Sequence, residues 1–202
     1  MSLKSIHKGL HRTSRIGAVI GGLGILFIAV MITVDALMRK FLNTTLGGAS
    51  EVAGFVFAVA TALAYPFVLL DRANIRIDAV YTALSSKIRA FLDLLAILLL
   101  LLFVGKLTYS TYQLLEKSWS GGSKSNGVIT IPLWIPQSLW VLGFAFFTVT
   151  AAFLAIYALT AMVKRDWVGV NRAIGVPSID ETIDEETHIE AVEEVEDQRT
   201  PK

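Results

Sequence analysis

The sequence predicts an all-α integral membrane protein with four transmembrane helices, both termini in the cytoplasm and a short cytoplasmic amphipathic helix. Of its 202 residues, 54% are hydrophobic and 17% are charged, whereas soluble domains average about 45–50% and 25%. The apolar residues form four blocks, each long enough to cross a hydrocarbon core of about 30 Å. Because lipid offers backbone groups no hydrogen-bond partner, each block should be a helix. This composition disfavours a soluble enzyme, a nucleic-acid-binding protein and a disordered chain.

The four spans follow directly from the apolar blocks. The first block contains one charge, Asp35, and the second, residues 52–70, contains none. The last block is too long for one upright helix, so we place its start at Pro132 or Pro136, because proline suits the first helical turn. Trp134 then lies at the membrane interface, a depth that tryptophan favours. The predicted spans are residues 16–38, 52–71, 90–115 and 132–163.

Basic residues in the short loops predict the orientation of the chain. Ten lysines and arginines fall on the side that carries both termini, against four on the other side. Because basic residues concentrate in cytoplasmic loops, this bias places both termini in the cytoplasm. The ten are Lys4, Lys8, Arg12, Arg15, Arg72, Arg76, Lys87, Arg89, Lys164 and Arg165, and the four are Arg39, Lys40, Lys117 and Lys124.

Charge also divides the chain into three regions. Residues 1–15 form a basic cytoplasmic N-terminus, residues 16–163 form the membrane domain, and residues 164–202 form a cytoplasmic tail. The net charge of +1 combines a basic body with a tail that carries ten acids from Ser178 onward. So few apolar residues accompany these acids that we predict a largely disordered tail. Residues 77–88 alternate apolar and polar side chains at helical spacing, which predicts an amphipathic helix on the cytoplasmic surface.

A secretory signal peptide is the competing interpretation of the N-terminus. Its apolar stretch would span about 7–15 residues and end at a small-residue cleavage site. Residues 16–38 exceed that length, and Arg39 follows them instead of such a site. We therefore predict an uncleaved first helix.

Three charged residues cluster at the predicted outer ends of the first two spans. Asp35 and Arg39 are four positions apart and share a helix face. We expect them to pair, because an unpartnered carboxylate in hydrocarbon is costly. Glu51 opens the second span across a short loop from Arg39 and Lys40. It either completes an ion network with them or interacts favourably with the N-terminus of its helix.

Small residues recur at helical spacing in the spans. Gly17 and Gly21 share one side of the first span, and Ala151 and Ala155 do so in the last. Such faces let helix backbones approach closely. They fit contacts within this chain or contacts with a partner subunit, and the residues alone do not decide between the two.

The sequence offers no group that would carry chemistry. It contains no cysteine, which excludes disulfides, thiolate metal sites and iron–sulfur clusters. Its histidines, His7, His11 and His188, lie outside the spans, whereas a membrane haem needs histidines within helices. We find neither metal-ligand spacing nor a phosphate-binding glycine loop. We predict no catalytic residue, no cofactor and no metal, and a helical membrane subunit that serves a larger assembly.

Four features together resemble the small, DctQ-type membrane subunit of tripartite ATP-independent periplasmic (TRAP) transporters. The first is Leu37-Met38-Arg39-Lys40-Phe41 at the end of the first span, and the second is Glu51. The third is Asn74-Ile75-Arg76-Ile77-Asp78, where the family usually has His-Ile/Val-x-Ile/Val-Asp. The fourth is Thr130-Ile131-Pro132-Leu133-Trp134-Ile135-Pro136 before the last span. The departure is Asn74, which hydrogen-bonds but does not titrate as histidine would.

The resemblance implies a function for the whole assembly. A large multi-span subunit would carry the substrate and ion sites, and a periplasmic binding protein would deliver an organic acid. An ion gradient would drive this symport in the cell inner membrane. The small subunit would brace the large one, and its outer loops would help to dock the binding protein. The implied partners are these two proteins and the lipid bilayer, with no nucleic acid.

Two other classes of protein stay open from the residues alone. One is a membrane-anchor subunit of a respiratory or redox complex, which the lack of membrane histidines and cysteines disfavours. The other is a self-associating membrane protein without a transport partner.

Overall fold

Among the residues that the structure describes, four long helices dominate the regular structure of this computed structural model. It describes residues 3–72 and 84–164, together with Trp167, Gly169, Ile174 and Gly175. Within these residues the only β-type pairing is one isolated bridge. Each helix is long and apolar enough to cross a membrane, which confirms the predicted fold class of four transmembrane helices. The helices are α1 (Leu3–Leu42), α2 (Ala49–Leu70), α3 (Ser86–Ser120) and α4 (Trp134–Val163).

The helices differ in extent from the apolar blocks that predicted them. α1 begins at Leu3 rather than at residue 16, so the basic residues of the N-terminus are helical. α3 likewise runs past its apolar block at both ends. No proline interrupts these polar turns, so the helix continues beyond the hydrocarbon region. α4 begins at Trp134, between the two prolines proposed as its start.

Two sequence predictions fall mainly outside the described residues. Most of the predicted amphipathic helix lies in residues 73–83, which the structure does not describe, while Ser86–Ile88 form the first turn of α3. The acidic tail from Ser178 onward also lies outside the described residues.

The helices pack mainly in a row. α1 packs on α2, α2 packs on α4, and α4 packs on α3, so the spatial order is α1, α2, α4, α3. In the edge helix α1 only 11% of the most apolar 18-residue stretch is buried within the chain, whereas in the inner helix α4 the share is 39%. A row of this kind leaves two broad apolar faces available to lipid or to another membrane protein.

Glycines bring the backbones of α1 and α2 together. A methyl group on Gly21 would lie 2.7 Å from the carbonyl oxygen of Ala60, and one on Gly17 would lie 3.0 Å from that of Leu63. Only glycine permits an approach this close at Gly21, because real β-carbons do not come so near a backbone oxygen. The Gly17 and Gly21 face therefore packs within this chain.

Small and aromatic side chains fill the contact between α2 and α4. A methyl group on Gly143 would lie 2.8 Å from the β-carbon of Ala62, which is itself fully buried. The ring of Tyr65 stacks against Phe147, with centroids 5.4 Å apart, and against Phe144 at 6.4 Å. Stacked aromatic pairs add to the packing at about 0.5–1.5 kcal/mol each.

A hydroxyl pair links α3 to α4. The Oγ1 atoms of Thr108 and Thr148 lie 2.8 Å apart, and Thr108 Oγ1 also lies 3.2 Å from the carbonyl oxygen of Phe144. Interhelical hydrogen bonds of this type stabilise membrane helices by about 0.6 kcal/mol on average.

The close approach at Gly21 leads to a first prediction. The substitution Gly21→Ala should separate α1 from α2 and destabilise the chain by about 1–3 kcal/mol, the usual effect of overpacking. Gly22 supplies a matched control, because a methyl group there would meet nothing within 4 Å. Thermal unfolding in detergent should show a lower transition temperature for Gly21→Ala than for the unaltered chain. The transition temperature of Gly22→Ala should not be lowered. Equal transition temperatures for the two variants would contradict the close contact between Gly21 and Ala60.

Candidate functional site

Asp35 organises the connector between α1 and α2. Its side chain is 1% exposed, although it lies on an edge helix, because residues 43–48 fold back over it. One carboxylate oxygen accepts hydrogen bonds from the hydroxyl of Thr45 at 2.7 Å and from the backbone N–H of Leu46 at 2.8 Å. The other accepts from Nε of Arg39 at 2.8 Å and also from its Nη2. Both oxygens are therefore satisfied by the chain itself.

The same connector needs two glycines. Gly47 and Gly48 have φ angles of 68° and 78°, in the left-handed region that glycine adopts at little cost. Residues 121–133, which we call the outer loop after their position in the predicted orientation, cover this turn. A methyl group on Gly48 would lie 2.7 Å from Cγ1 of Ile129. The two connectors at this end of the row are thus packed against each other.

Glu51 lies apart from the Asp35 cluster. Two roles were open for Glu51. The ion network with Arg39 and Lys40 is not formed among the described residues, because the guanidinium of Arg39 pairs with Asp35 on its own helix. The carboxylate of Glu51 instead lies directly against Gly127 of the outer loop, where a methyl group would clash with it. Its Oε2 atom is buried and has no hydrogen-bond partner in the described part of the chain. Its place in the first turn of α2 favours a negative charge through the helix dipole.

The outer loop is closed by backbone hydrogen bonds. The N–H of Ser125 donates to the carbonyl of Ile131 at 2.8 Å, and the N–H of Leu133 donates to that of Ser123 at 3.0 Å. Pro132 forms the isolated bridge with Lys124, and Pro136 lies in the first turn of α4, where no N–H is required.

Tryptophans lie at the C-terminal end of α3 and at the N-terminal end of α4. The rings of Trp119 and Trp134 meet edge to face with centroids 4.8 Å apart. Trp119 is 65% exposed. Aromatic side chains of this kind anchor helices at the interface between hydrocarbon and water.

An apolar groove of about 320 Å³ lies between α1, α2 and the start of α4. Gly21 and Gly24 line it from α1, and Ile135, Pro136 and Leu139 line it from α4. All of its lining residues are apolar or glycine. The groove therefore has the chemistry of a hydrocarbon contact and offers nothing to hold a charged or hydroxylated solute.

Aromatic and polar contacts that the sequence reasoning missed hold the N-terminal part of α1. Nε2 of His11 lies 3.6 Å from Oδ1 of Asp71, and its ring meets Phe67 with centroids 5.7 Å apart. His7 contacts Phe153 of α4 at 6.3 Å between centroids. The only sequence signal was the spacing of four between the two histidines, which places them on one face of a helix.

The predicted site residues thus fall into separate groups. Asp35 and Arg39 meet at the α1–α2 connector, while Glu51 meets the outer loop that leads through Pro132 to Trp134 and Pro136. Gly17 and Gly21 lie at the α1–α2 contact. Asn74 and Asp78 lie outside the described residues.

The polar groups at these positions fasten connectors and helix ends. Among the described residues, no group of three or more histidine, aspartate or glutamate side chains is arranged to hold a metal ion. Fold and site together define a multi-pass helical membrane subunit.

The family comparison identifies which kind of subunit this is. The family described as "Tripartite ATP-independent periplasmic transporters, DctQ component" matches residues 28–165. The match extends from the middle of α1 to just past α4 and covers more than half of the chain, so the chain belongs to this family. Searches of curated proteins and of solved structures found no match. The resemblance seen in the sequence is confirmed.

The Asp35 cluster gives a second prediction. Asp35→Ala should lower the melting temperature more than Arg39→Ala does, because the aspartate also satisfies Thr45 and the N–H of Leu46. The side chain of Arg39 is 60% exposed and can be solvated without its partner. Thermal unfolding of the two variants, with limited proteolysis at residues 43–48, tests this order. A larger effect of Arg39→Ala would show that the ion pair, and not the connector, is the important contact.

The contact between Glu51 and Gly127 gives a third prediction. Gly127→Ala should push the carboxylate out of its place and destabilise the outer loop by about 1 kcal/mol, at the lower end of overpacking effects. In a Glu51→Ala background the same change should have little effect, because the obstructing side chain is gone. A double-mutant cycle of thermal stability measures this coupling. Additive effects of the two substitutions would refute it.

Proposed function

We propose that this chain is a fixed scaffold subunit that braces the large, ion-coupled subunit of a TRAP transporter in the bilayer. Membership of the DctQ family makes it a small permease component of such a transporter. In the proposal, the assembly takes up an organic acid that a periplasmic binding protein delivers. An ion gradient drives this uptake.

The observation that carries the proposal is that the polar side chains at the α1–α2 connector and between α3 and α4 form hydrogen bonds within the chain itself. Asp35, Thr45 and Arg39 satisfy one another at a connector, and Thr108 and Thr148 link two helices. The groove among the helices is apolar. A chain whose described polar contacts hold its own structure together supports a bracing role and leaves solute binding to the partner.

The row arrangement supports the same role. A partner that moves its transport site through the membrane needs a neighbour that stays in place. A row of helices has two broad sides, and one can face the partner while the other faces lipid. Every neighbouring pair in the row is in direct contact, so the row forms a continuous wall. Gly21 joins α1 to α2, Gly143 joins α4 to α2, and the hydroxyl pair joins α3 to α4.

The outer loop supports a contact with the binding protein. It is closed by backbone hydrogen bonds and lies at the end of the row opposite to the start of α1 and the end of α4. It carries the exposed Lys124, and Lys117 in the last turn of α3 is exposed as well. In the proposed orientation this end faces the periplasm and both termini face the cytoplasm of a cell with the protein in its inner membrane.

Family membership also bears on the alternative classes. The DctQ family is a transporter component and not an enzyme family. It therefore favours transport over the anchor of a respiratory complex and over a membrane protein that only self-associates.

A reconstituted uptake assay tests the proposed role. The large subunit should be taken from the same source and placed in proteoliposomes with its binding protein, an ion gradient and a labelled organic acid. Uptake should require this chain and fall at least about tenfold without it, because the moving subunit loses its fixed neighbour. Full uptake by the large subunit alone would overturn the scaffold role.

The matched control uses the chain with Gly21→Ala in parallel with Gly22→Ala. The first variant weakens the wall and should reduce uptake, whereas the second should support normal uptake because its position is open. Neither substitution should change which organic acid is preferred. A change of preference would place solute recognition in this chain.

A further inference from the structure

The helix contacts fix how far each helix is shifted along its neighbour. Gly21 of α1 lies level with Ala60 of α2, and the same alignment continues to the inner end, where His11 meets Phe67 and Asp71. The two helices are therefore aligned over a long stretch.

The other two contacts continue this alignment across the row. Gly143 of α4 lies level with Ala62 of α2. Thr108 of α3 lies level with Phe144 and Thr148 of α4, and at the outer end Trp119 meets Trp134. Each position on one helix can thus be assigned a level on every other helix.

The apolar blocks do not align at these levels. The centre of the α2 block, near residue 61, lies level with about residue 19 of α1 and about residue 142 of α4. The α1 block, residues 16–38, is centred about eight residues further out, which is about 12 Å at 1.5 Å per residue. The α4 block, residues 132–163, is centred about six residues further in, and the α3 block, residues 90–115, is centred about ten residues further in.

A bilayer requires the apolar centres to share one depth. If the helices stood upright, the α1 block would project toward the outside while the α4 block projected toward the cytoplasm. The shift between neighbours is about as large as the usual 8–10 Å between the axes of packed helices. Because shift and spacing are about equal, we infer that the whole row is tilted within its own plane, a lean of about 45°, which is just beyond the 0–40° range of membrane helices.

The charged ends of α1 agree with this lean. Arg15 and Arg39 lie at equal distances on either side of the centre of the α1 block, so both reach an interface when that centre is at the midplane. The connector agrees as well, because Leu46 lies beside Asp35. The chain thus runs back along α1 before α2 begins, which places the start of α2 below the end of α1.

Spin-label depth measurements test the lean directly. The full chain has no cysteine, so single cysteine variants carry one label each in liposomes. We choose exposed positions to leave packing intact. Phe27 of α1, Val149 of α4 and Leu102 of α3 are 58%, 57% and 71% exposed and lie near the centres of their blocks. Their depths, from oxygen against nickel-chelate relaxation, should agree within about 5 Å. Upright helices, at 1.5 Å per residue, would separate Phe27 from the other two by roughly 20 Å or more.

A second set provides the matched control. Val19, Leu142 and Tyr112 are exposed and lie at one level along the helices. A leaning row places Val19 in the inner leaflet and the other two in the outer leaflet, about 15 Å or more apart by the same rise per residue. Equal depths in this set, with unequal depths in the first, would overturn the lean. The outcome is independent of transport, since it depends only on the chain in a bilayer.

Discussion

The structure depends on one constraint, namely that a polar group surrounded by hydrocarbon must find its partner within the protein. The carboxylate of Asp35 illustrates it. On a helix that packs mainly on one neighbour, this group is covered by a connector that supplies a hydroxyl and a backbone N–H, while Arg39 supplies the countercharge. The paired threonines of α3 and α4 meet the same requirement. In both places, the need to satisfy a polar group also decides where two segments meet.

Local patterns in the sequence predicted the features that depend on local physics. The four apolar blocks were enough to predict four membrane helices, because the ability to span a bilayer depends on the length and hydrophobicity of each block by itself. The pairing of Asp35 with Arg39 followed from a spacing of four residues. Residue spacing also indicated that Gly17 and Gly21 allow a close approach. It did not indicate which helix approaches, because the spacing describes one partner of a contact, and the structure assigns it to α2.

Contacts between residues far apart in the sequence could not be predicted from local patterns. Glu51 and Gly127 are far apart in sequence, and nothing near Glu51 points to the outer loop rather than to Arg39. The donors from Thr45 and Leu46 depend on the path of a six-residue connector, which two left-handed glycines determine. The order of the helices in the row likewise arises from packing between segments that no periodicity connects. The roles of Asn74 and Asp78 stay predictions.

The order α1, α2, α4, α3 also has a consequence for biogenesis. As the ribosome releases the helices one after another, the first two can associate at once, because they are neighbours in the finished row. The third emerges before the helix on which it packs and must wait in the membrane, or beside the insertion machinery, until the fourth arrives. The fourth helix therefore joins the third to the first two by packing, and a chain truncated before it would leave the third helix in the bilayer without the helix on which it packs.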